Sequence, residues 1–231
     1  ATGRVQALLE IRLTTDGADV LVLSGEIDRV ASGFDRVIFP ADQVRLGEQG
    51  QQRRMQRLQA GKAPELNQVV WLDANADPPP SWTDRSPCNP AELECWRNKQ
   101  GWPLGHQELT GDTNPFELGL SRWVDLNKGC YLGQETVAKL ASRGGVKQEL
   151  RCWQSTAEGC LDLESGDQLS LNDSRAGLIT SVCKDSATGH CFGLAFVRRQ
   201  ALDAETLLAG TSGVEVSISR PSAFCEPPSR G

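Results

Sequence analysis

The chain has 231 residues, of which 39% are hydrophobic, and a formal net charge of −6. This length suffices for one large hydrophobic core or two smaller ones. The negative charge argues against a nucleic-acid surface, which needs a basic stripe. No apolar run approaches the length of a membrane span, so we expect no contact with a membrane.

The first part of the chain predicts a hairpin followed by a short helix. Residues 5–13 and 20–23 are aliphatic and β-branched runs, and residues 14–19 between them have turn chemistry. Ser24 can cap a helix that continues to about Phe34.

Polar and proline-rich stretches follow. Residues 49–59 are highly polar and predict a solvated helix, while the net charge disfavours the alternative that their arginines bind RNA. The prolines of residues 76–90 predict a loop, because successive prolines fit neither a helix nor a sheet. The other predicted elements are extended segments at 37–39, 44–46 and 69–72 and a helix at 91–99.

The character of the sequence changes after residue 145. Short apolar strands recur there every eight to twelve residues, separated by turn signals, which is typical of a small antiparallel barrel. We therefore predict an α+β domain at 1–145, a β-barrel at 146–222 and a tail at 223–231. The predicted barrel strands lie at 149–153, 168–171, 177–182, 191–197 and 214–219.

The most informative segment is Lys128-Gly129-Cys130-Tyr131-Leu132-Gly133-Gln134-Glu135. Its glycines let the loop present a thiol closely, and a helical pattern begins at Glu135. A position just ahead of a helix N-terminus and near Lys128 favours thiolate over thiol. We predict that Cys130 is partly exposed and is the most reactive thiol. The alternative is a tight turn with a buried cysteine.

The other cysteines do not form a recognisable metal site. The eight cysteines include no C-x-x-C pair, and the chain has only two histidines. We therefore predict no metal and unpaired thiols in a reducing compartment, the cytoplasm, with plastid stroma or mitochondrial matrix as alternatives. Cys152 with Cys160, and Cys183 with Cys191, could face one another across hairpins.

The segment 128–135 resembles the K-G-C-Y-x-G-Q-E signature of the YgfZ family, folate-binding relatives of the glycine-cleavage T-protein. Further stretches are similar to that family in the same order, and the resemblance is continuous from Trp96 to Arg199. These stretches are 96–109, 114–120, 177–181 and 193–199.

The resemblance implies a partial T-protein-like folate-binding α+β domain followed by a small antiparallel β-barrel. It implies tetrahydrofolate or a derivative as the ligand, and iron–sulfur enzymes or assembly proteins as the partners of a monomer. Cys130 and Lys128 would provide the reactive thiol and its neighbouring cation. The candidate folate contacts are Arg97, Tyr131, Gln134, Glu135 and Arg198.

Three of these candidates have simpler interpretations. Arg97 could be a structural helix arginine paired with a nearby carboxylate. Tyr131 could be a core ring, and Arg198 could face solvent at the end of a strand.

The resemblance also implies that part of the first domain is missing. The chain begins with Ala1 and its one methionine is Met55, so we expect a fragment without its N-terminal stretch. The two-strand unit at 5–23 should then be an exposed or incomplete sheet.

Two departures from the T-protein pattern bear on catalysis. T-proteins have an acidic residue where this chain has Ala7, and a pteridine-binding glutamate where it has Lys99. Ala7 has no titratable group, and a lysine offers donors but no acceptor. We therefore expect no turnover, and predict a folate-binding factor for iron–sulfur cluster assembly or repair. The alternatives are an aminomethyl- or methyltransferase that uses tetrahydrofolate and a non-catalytic interaction module.

Overall fold

Contacts within the chain divide it into two compact units. One unit combines Ala1–Gln6 with Pro90–Gly231, and the other is Ala7–Asn89. These divisions lie at other positions than the boundaries predicted at 145 and 222. The computed structural model describes residues 3–58, 68–84, 86–143, 146–156, 163–185 and 187–226.

In its described part, the unit Ala7–Asn89 contains two-stranded antiparallel sheets and a short helix. The predicted hairpin is confirmed as β1 (Leu8–Leu13) paired with β2 (Ala18–Ser24), and the helix as α1 (Ile27–Asp35). The predicted cap is wrong, because Ser24 ends β2 and Glu26 stands at the N-cap of α1. A second pair joins β3 (Gln52–Gln56) to β4 (Val69–Asp73).

The helix predicted at 49–59 is wrong, because β3 lies within it. Arg54 stands opposite Trp71 across the strand pair. Its guanidinium bonds to Glu10 of β1 (Nη2–Oε1 2.5 Å), and the Trp71 indole donates to the same carboxylate at 2.9 Å. Burial alone would raise the pKa of Glu10, but these hydrogen bonds outweigh it and lower the pKa. Polar side chains therefore stabilise an extended segment here. The segments 37–39 and 44–46 are not strands either.

The β1–β2 hairpin exposes apolar side chains, as predicted. Ile11 is 60% exposed and Leu13 82% exposed, with Val20 also at the surface. The two strands form a sheet of their own among the described residues. Large exposed aliphatic side chains on neighbouring positions constitute an apolar surface.

The unit that combines Ala1–Gln6 with Pro90–Gly231 contains a closed six-stranded antiparallel barrel, which confirms the α+β fold with a barrel. The barrel order is β5-β11-β10-β6-β7-β9, closed by pairing of β5 with β9, and β8 pairs with β9 outside the closed ring. The strands are β5 (Gln148–Ser155), β6 (Gln168–Leu171), β7 (Ser174–Ile179), β8 (Cys183–Lys184), β9 (Cys191–Arg198), β10 (Thr206–Ala209) and β11 (Val214–Ser219).

The barrel core is centred on Trp153, which packs with buried aliphatic residues such as Leu169 and Ile179. Its indole Nε1 donates to the carbonyl of Ser181 at 3.1 Å, so the buried N–H has a partner. Gly193 stands opposite Trp153 in β9. A Cβ on Gly193 would lie 1.9 Å from the Ser181 oxygen, so the backbones approach too closely for any side chain.

Two helices lie outside the barrel sequence. α2 (Pro90–Gln100) begins with a proline, which suits a first helical turn. α3 (Gln134–Arg143) packs Val137 against Phe116 and Val146 in a separate small core.

Residues after the last strand fold back on the unit. The Cys225 N–H donates to the Gly119 carbonyl at 2.9 Å, and the Ala223 N–H donates to Gln100 at 3.1 Å. Phe224 packs where a Cβ on Gly119 would otherwise lie. Residues 223–226 of the predicted tail are therefore held in place, and the rest of it lies outside the described residues. We call residues 220–226 the C-terminal strap.

Candidate functional site

An aspartate organises the loop that carries the candidate thiol. The Asp125 carboxylate accepts hydrogen bonds from the N–H groups of Asn127 (2.8 Å) and Lys128 (3.0 Å), which forms an Asx turn. Gly133 has a φ of 87°, a left-handed conformation that favours glycine. The chain can therefore turn sharply from the loop into α3.

Cys130 is exposed and unpaired, in the loop just ahead of α3. The Lys128 ammonium lies 4.8 Å from the centre of the Tyr131 ring, a cation–π contact. Tyr131 has a buried hydroxyl with no hydrogen-bond partner in the described part of the chain. Lys128 is thus fixed beside the ring, while its effect on the thiol stays a prediction.

Gln134 and Glu135 form the first turn of α3. Gln134 is half-buried, and its backbone N–H donates to the Tyr131 carbonyl at 3.2 Å. The Glu135 side chain is 92% exposed, and Lys139 is its neighbour at 3.9 Å one turn along. Glu135 therefore faces solvent.

Arg97 lies in a buried ion-pair network. Its guanidinium donates to both oxygens of Glu94 (2.8 and 2.5 Å), the Trp102 carbonyl (2.6 Å), Glu108 Oε2 (3.3 Å) and Asn98 Oδ1 (3.4 Å). These five bonds match the five N–H donors of a guanidinium. Burial would lower the pKa of Arg97, but Glu94 and Glu108 outweigh it and raise the pKa. A folate contact by Arg97 would therefore have to replace an existing bond.

Arg198 is exposed at the end of β9, where it pairs in register with Gln148. In the described residues, neither Arg198 nor Arg97 has a hydrogen bond or ion pair to the segment 128–135. The structure thus groups Lys128, Cys130, Tyr131 and Gln134 in one loop and helix start. The two arginines lie elsewhere in the same unit.

An open groove of about 550 Å³ adjoins this loop in sequence, and the prediction missed it. Trp123 at its rim is 52% exposed, with the Arg122 guanidinium 4.8 Å from its ring centre. The Trp102 ring lies 6.5 Å from Trp123. An arginine and an exposed tryptophan shortly before the signature are the sequence signal that indicates this groove. Its lining residues are Arg122, Trp123, Val124, Asp125, Leu126 and Asn127.

Lys99 has a surface position on α2. Its ammonium lies 3.1 Å from Asp185 and 5.0 Å from the centre of the Phe192 ring. Hydrogen bonds from the Ala187 N–H and from Lys99 lower the pKa of Asp185. Lys99 thus contacts the loop between β8 and β9.

The prediction that all the cysteines are unpaired is wrong. Cys191 takes part in a disulfide, so the cysteines are not all unpaired. Cys183 stands opposite Phe192, and Lys184 stands opposite Cys191. Cys183 and Cys191, suggested as a facing pair, are therefore not directly opposite one another across the two strands. The other suggested pair includes Cys160, which lies outside the described residues. Among the described residues, six cysteines are free: Cys88, Cys95, Cys130, Cys152, Cys183 and Cys225.

Two searches of the described ranges gave negative results. No cluster of three or more His, Cys, Asp or Glu side chains there has the arrangement of a metal site. No helix in this part of the chain has the length and apolar character to cross a membrane.

Comparisons with known proteins found sequence relatives but no matching family profile. The chain is 35% identical over 116 residues to an Arabidopsis thaliana protein named "Putative transferase At1g60990, chloroplastic", covering 50% of this chain and 26% of that protein. It is 28% identical over 191 residues to an aminomethyltransferase of Cutibacterium acnes, covering 82% and 45%. It is 25% identical over 158 residues to an aminomethyltransferase of Corynebacterium aurimucosum, covering 62% and 39%.

A solved structure is also similar in part. The glycine cleavage system aminomethyltransferase T from Bartonella henselae aligns with a TM-score of 0.46 and 19% identity, over 60% of this chain and 39% of that one. The chain spans less than half the length of each of these relatives.

Proposed function

We propose that the chain is part of a tetrahydrofolate-binding factor that supports iron–sulfur cluster assembly or repair, with Cys130 as its reactive thiol. The observation that carries this proposal is the exposed Cys130 thiol on a loop braced by Asp125 and Gly133. A free thiol on a fixed loop can form a mixed disulfide with a partner or bind a cluster intermediate.

The groove before the loop supports a folate ligand. An exposed indole such as Trp123 offers a face on which a flat pterin ring can stack. Arg122 lies beside it and can pair with a carboxylate of the folate glutamate. Tyr131 and Gln134 then supply a buried hydroxyl and an amide at the end of the same loop. The similarity to aminomethyltransferases agrees with a folate ligand.

We propose binding without turnover, on chemical grounds. A transferase needs a base for the folate nitrogen, as well as a pocket. Lys99 stands where T-proteins have a glutamate, and its ammonium forms an ion pair with Asp185 at 3.1 Å. Ala7 brings no titratable group. A folate carrier or scaffold needs neither.

The second candidate function is an aminomethyltransferase, which the names of the bacterial relatives favour. It predicts that the purified protein releases a methylene group from an aminomethyl donor to tetrahydrofolate. The proposed factor binds folate but gives no product in that assay.

Calorimetric titration with tetrahydrofolate tests the ligand. We expect saturable heat for wild type and for Cys130→Ala, and at least tenfold weaker binding for Trp123→Ala. Leu208, an apolar residue on the barrel that is 44% exposed against 52% for Trp123, supplies the control, and Leu208→Ala should bind as wild type does. Absence of heat at high protein concentration would refute the folate proposal.

Complementation tests the thiol. In a strain lacking its own YgfZ-type protein, wild type should restore iron–sulfur enzyme activities and Cys130→Ala should fail. Cys88→Ala, which also removes an exposed free thiol, should complement normally. Full complementation by Cys130→Ala would refute the role of this thiol.

Six free cysteines among the described residues favour a reducing compartment, against the disulfide at Cys191. We propose the cytoplasm, with the plastid stroma or the mitochondrial matrix as alternatives. The chloroplastic relative agrees with the plastid stroma.

A further inference from the structure

Two free cysteines meet where α2 packs on the barrel. Cys95 on α2 and Cys183 on β8 are both free, and Cys95 is one of the groups that raise the pKa of Cys183. Asn98 lies three residues after Cys95, on the same helix face, and its Nδ2 donates to Cys183 Sγ at 3.2 Å. The Asn98 contact therefore places the helix face that carries Cys95 against Cys183, which agrees with the effect of Cys95 on the Cys183 pKa.

The two thiols differ in access. Cys183 is buried, whereas Cys95 is partly exposed. The pKa of Cys183 is raised to about 12, chiefly by burial and also by Cys95 and Glu94, against the lowering effect of the Asn98 hydrogen bond. Arg97 is the nearby positive charge, and its pKa is raised in part by Cys183. Cys183 is consequently a neutral, shielded thiol at physiological pH, and a reagent from solvent meets Cys95 first.

We propose that Cys95 and Cys183 are a redox-active pair that forms a reversible disulfide between α2 and β8, with a low-molecular-weight disulfide such as oxidised glutathione as the oxidant. No part of the folate or iron–sulfur proposal is needed for this inference. It rests on the contact between two free thiols and on their unequal exposure.

The reaction balances in two exchange steps. The Cys95 thiolate attacks one sulfur of glutathione disulfide, which forms a mixed disulfide and releases one glutathione thiolate. Cys183 then gives up its proton to solvent, and the resulting thiolate attacks the Cys95 sulfur and breaks the mixed disulfide. The second glutathione leaves as a thiolate and takes up a proton. The protein loses two electrons and two protons, and the oxidant becomes two molecules of glutathione.

The disulfide would act on the helix that bears Arg97 and Asn98. In the reduced protein α2 is held to β8 by hydrogen bonds, including the one from Asn98 to Cys183. The oxidised protein would add a covalent link at the same place. Reduction would restore the hydrogen-bonded form, so the state of α2 would follow the thiol–disulfide balance of its surroundings.

Peptide mapping tests the pair directly. The protein is equilibrated with glutathione buffers of increasing oxidised fraction, acid-quenched, alkylated and digested with trypsin. Cys183 is released in peptide 176–184 and Cys95 in peptide 86–97, which also contains Cys88. A Cys88→Ser background therefore makes the assignment unique. We expect a cross-linked 86–97/176–184 peptide that disappears on addition of reduced glutathione.

Variants test the order of steps. In Cys183→Ala, Cys95 should accumulate as a stable mixed disulfide with glutathione. In Cys95→Ser, Cys183 should stay reduced at every ratio. Cys152→Ala is the matched control, because the Cys152 thiol also contacts α2 but reaches only the Asn98 carbonyl, at 3.9 Å. It should leave the cross-link unchanged.

Three results would overturn the proposal. The first is a folded protein with no 86–97/176–184 cross-link in the most oxidising buffer. The second is a cross-link that appears only in denaturant. The third is Cys95 joined as readily to another cysteine as to Cys183.

Discussion

Replacing Arg97 by methionine should destabilise the unit that contains the barrel. Methionine keeps an apolar side chain of similar length but removes the guanidinium from Glu94 and Glu108. Glu108 is fully buried, and its Oε1 already lacks a hydrogen-bond partner in the described part of the chain. Without Arg97, a buried carboxylate loses its paired cation. Breaking a buried ion pair from one side costs about 3–5 kcal/mol.

The two carboxylates should contribute unequally. The Glu94 side chain is 49% exposed, so it can turn to water, and Glu94→Gln should cost less than about 1 kcal/mol. Glu108→Gln in the Arg97→Met background removes the unpaired charge. The double variant should therefore be more stable than the sum of the single changes predicts, by about 1–3 kcal/mol.

Denaturation in urea measures these differences. Far-ultraviolet circular dichroism and tryptophan fluorescence are both followed, and the free energy of unfolding is taken where the two transitions coincide. A loss below about 1 kcal/mol for Arg97→Met would refute the structural role of the network. If tetrahydrofolate binding were lost in that stable variant, Arg97 would instead be a ligand contact.

Three further predictions concern glycine packing and thiol chemistry. Gly193→Ala should cost at least about 3 kcal/mol in thermal denaturation because its Cβ overlaps the Ser181 carbonyl, while Gly17→Ala, whose Cβ meets nothing, should be nearly neutral; equal effects would contradict the packing argument. Iodoacetamide should label exposed Cys130 faster than half-buried Cys152, and equal rates by mass spectrometry would make Cys130 an ordinary thiol. Burial raises the pKa of Cys152 from 9.0 to about 11, so the folded protein keeps a proton that the unfolded chain loses, and stability should fall from about pH 9 to pH 11. Cys152→Ala should show a smaller fall over that range, and an unchanged slope would count against the shift.

The barrel could be predicted because its strands have clear local sequence patterns. Alternating apolar residues between turn signals determine β5, β6, β9 and β11 with little help from distant residues. The strand β10 was missed because it has only four residues, Thr206–Ala209, and half of them face outward.

The polar elements depend on distant partners that no local pattern shows. The strand β3 depends on the bond from Arg54 to Glu10, 44 positions away. The position of Arg97 was foreseen only as an alternative, because its partner Glu108 lies beyond the end of α2. The exposed position of Cys130 ahead of a helix was predicted, since its glycine and helix-start signals are local, whereas the turn at Asp125 was missed.

The C-terminal strap affects how the protein can be made in a cell. Gln100 and Gly119 accept hydrogen bonds from Ala223 and Cys225, so these carbonyls are without their final partners while a ribosome is still synthesising the barrel. The ring of Phe224 likewise reaches its place against Gly119 only after the barrel strands have been made. Translation that stops before the strap would leave the Gln100 and Gly119 carbonyls without these hydrogen bonds, so the backbone there would be more accessible to proteases and chaperones. Limited proteolysis can therefore distinguish chains that contain the strap from chains that lack it.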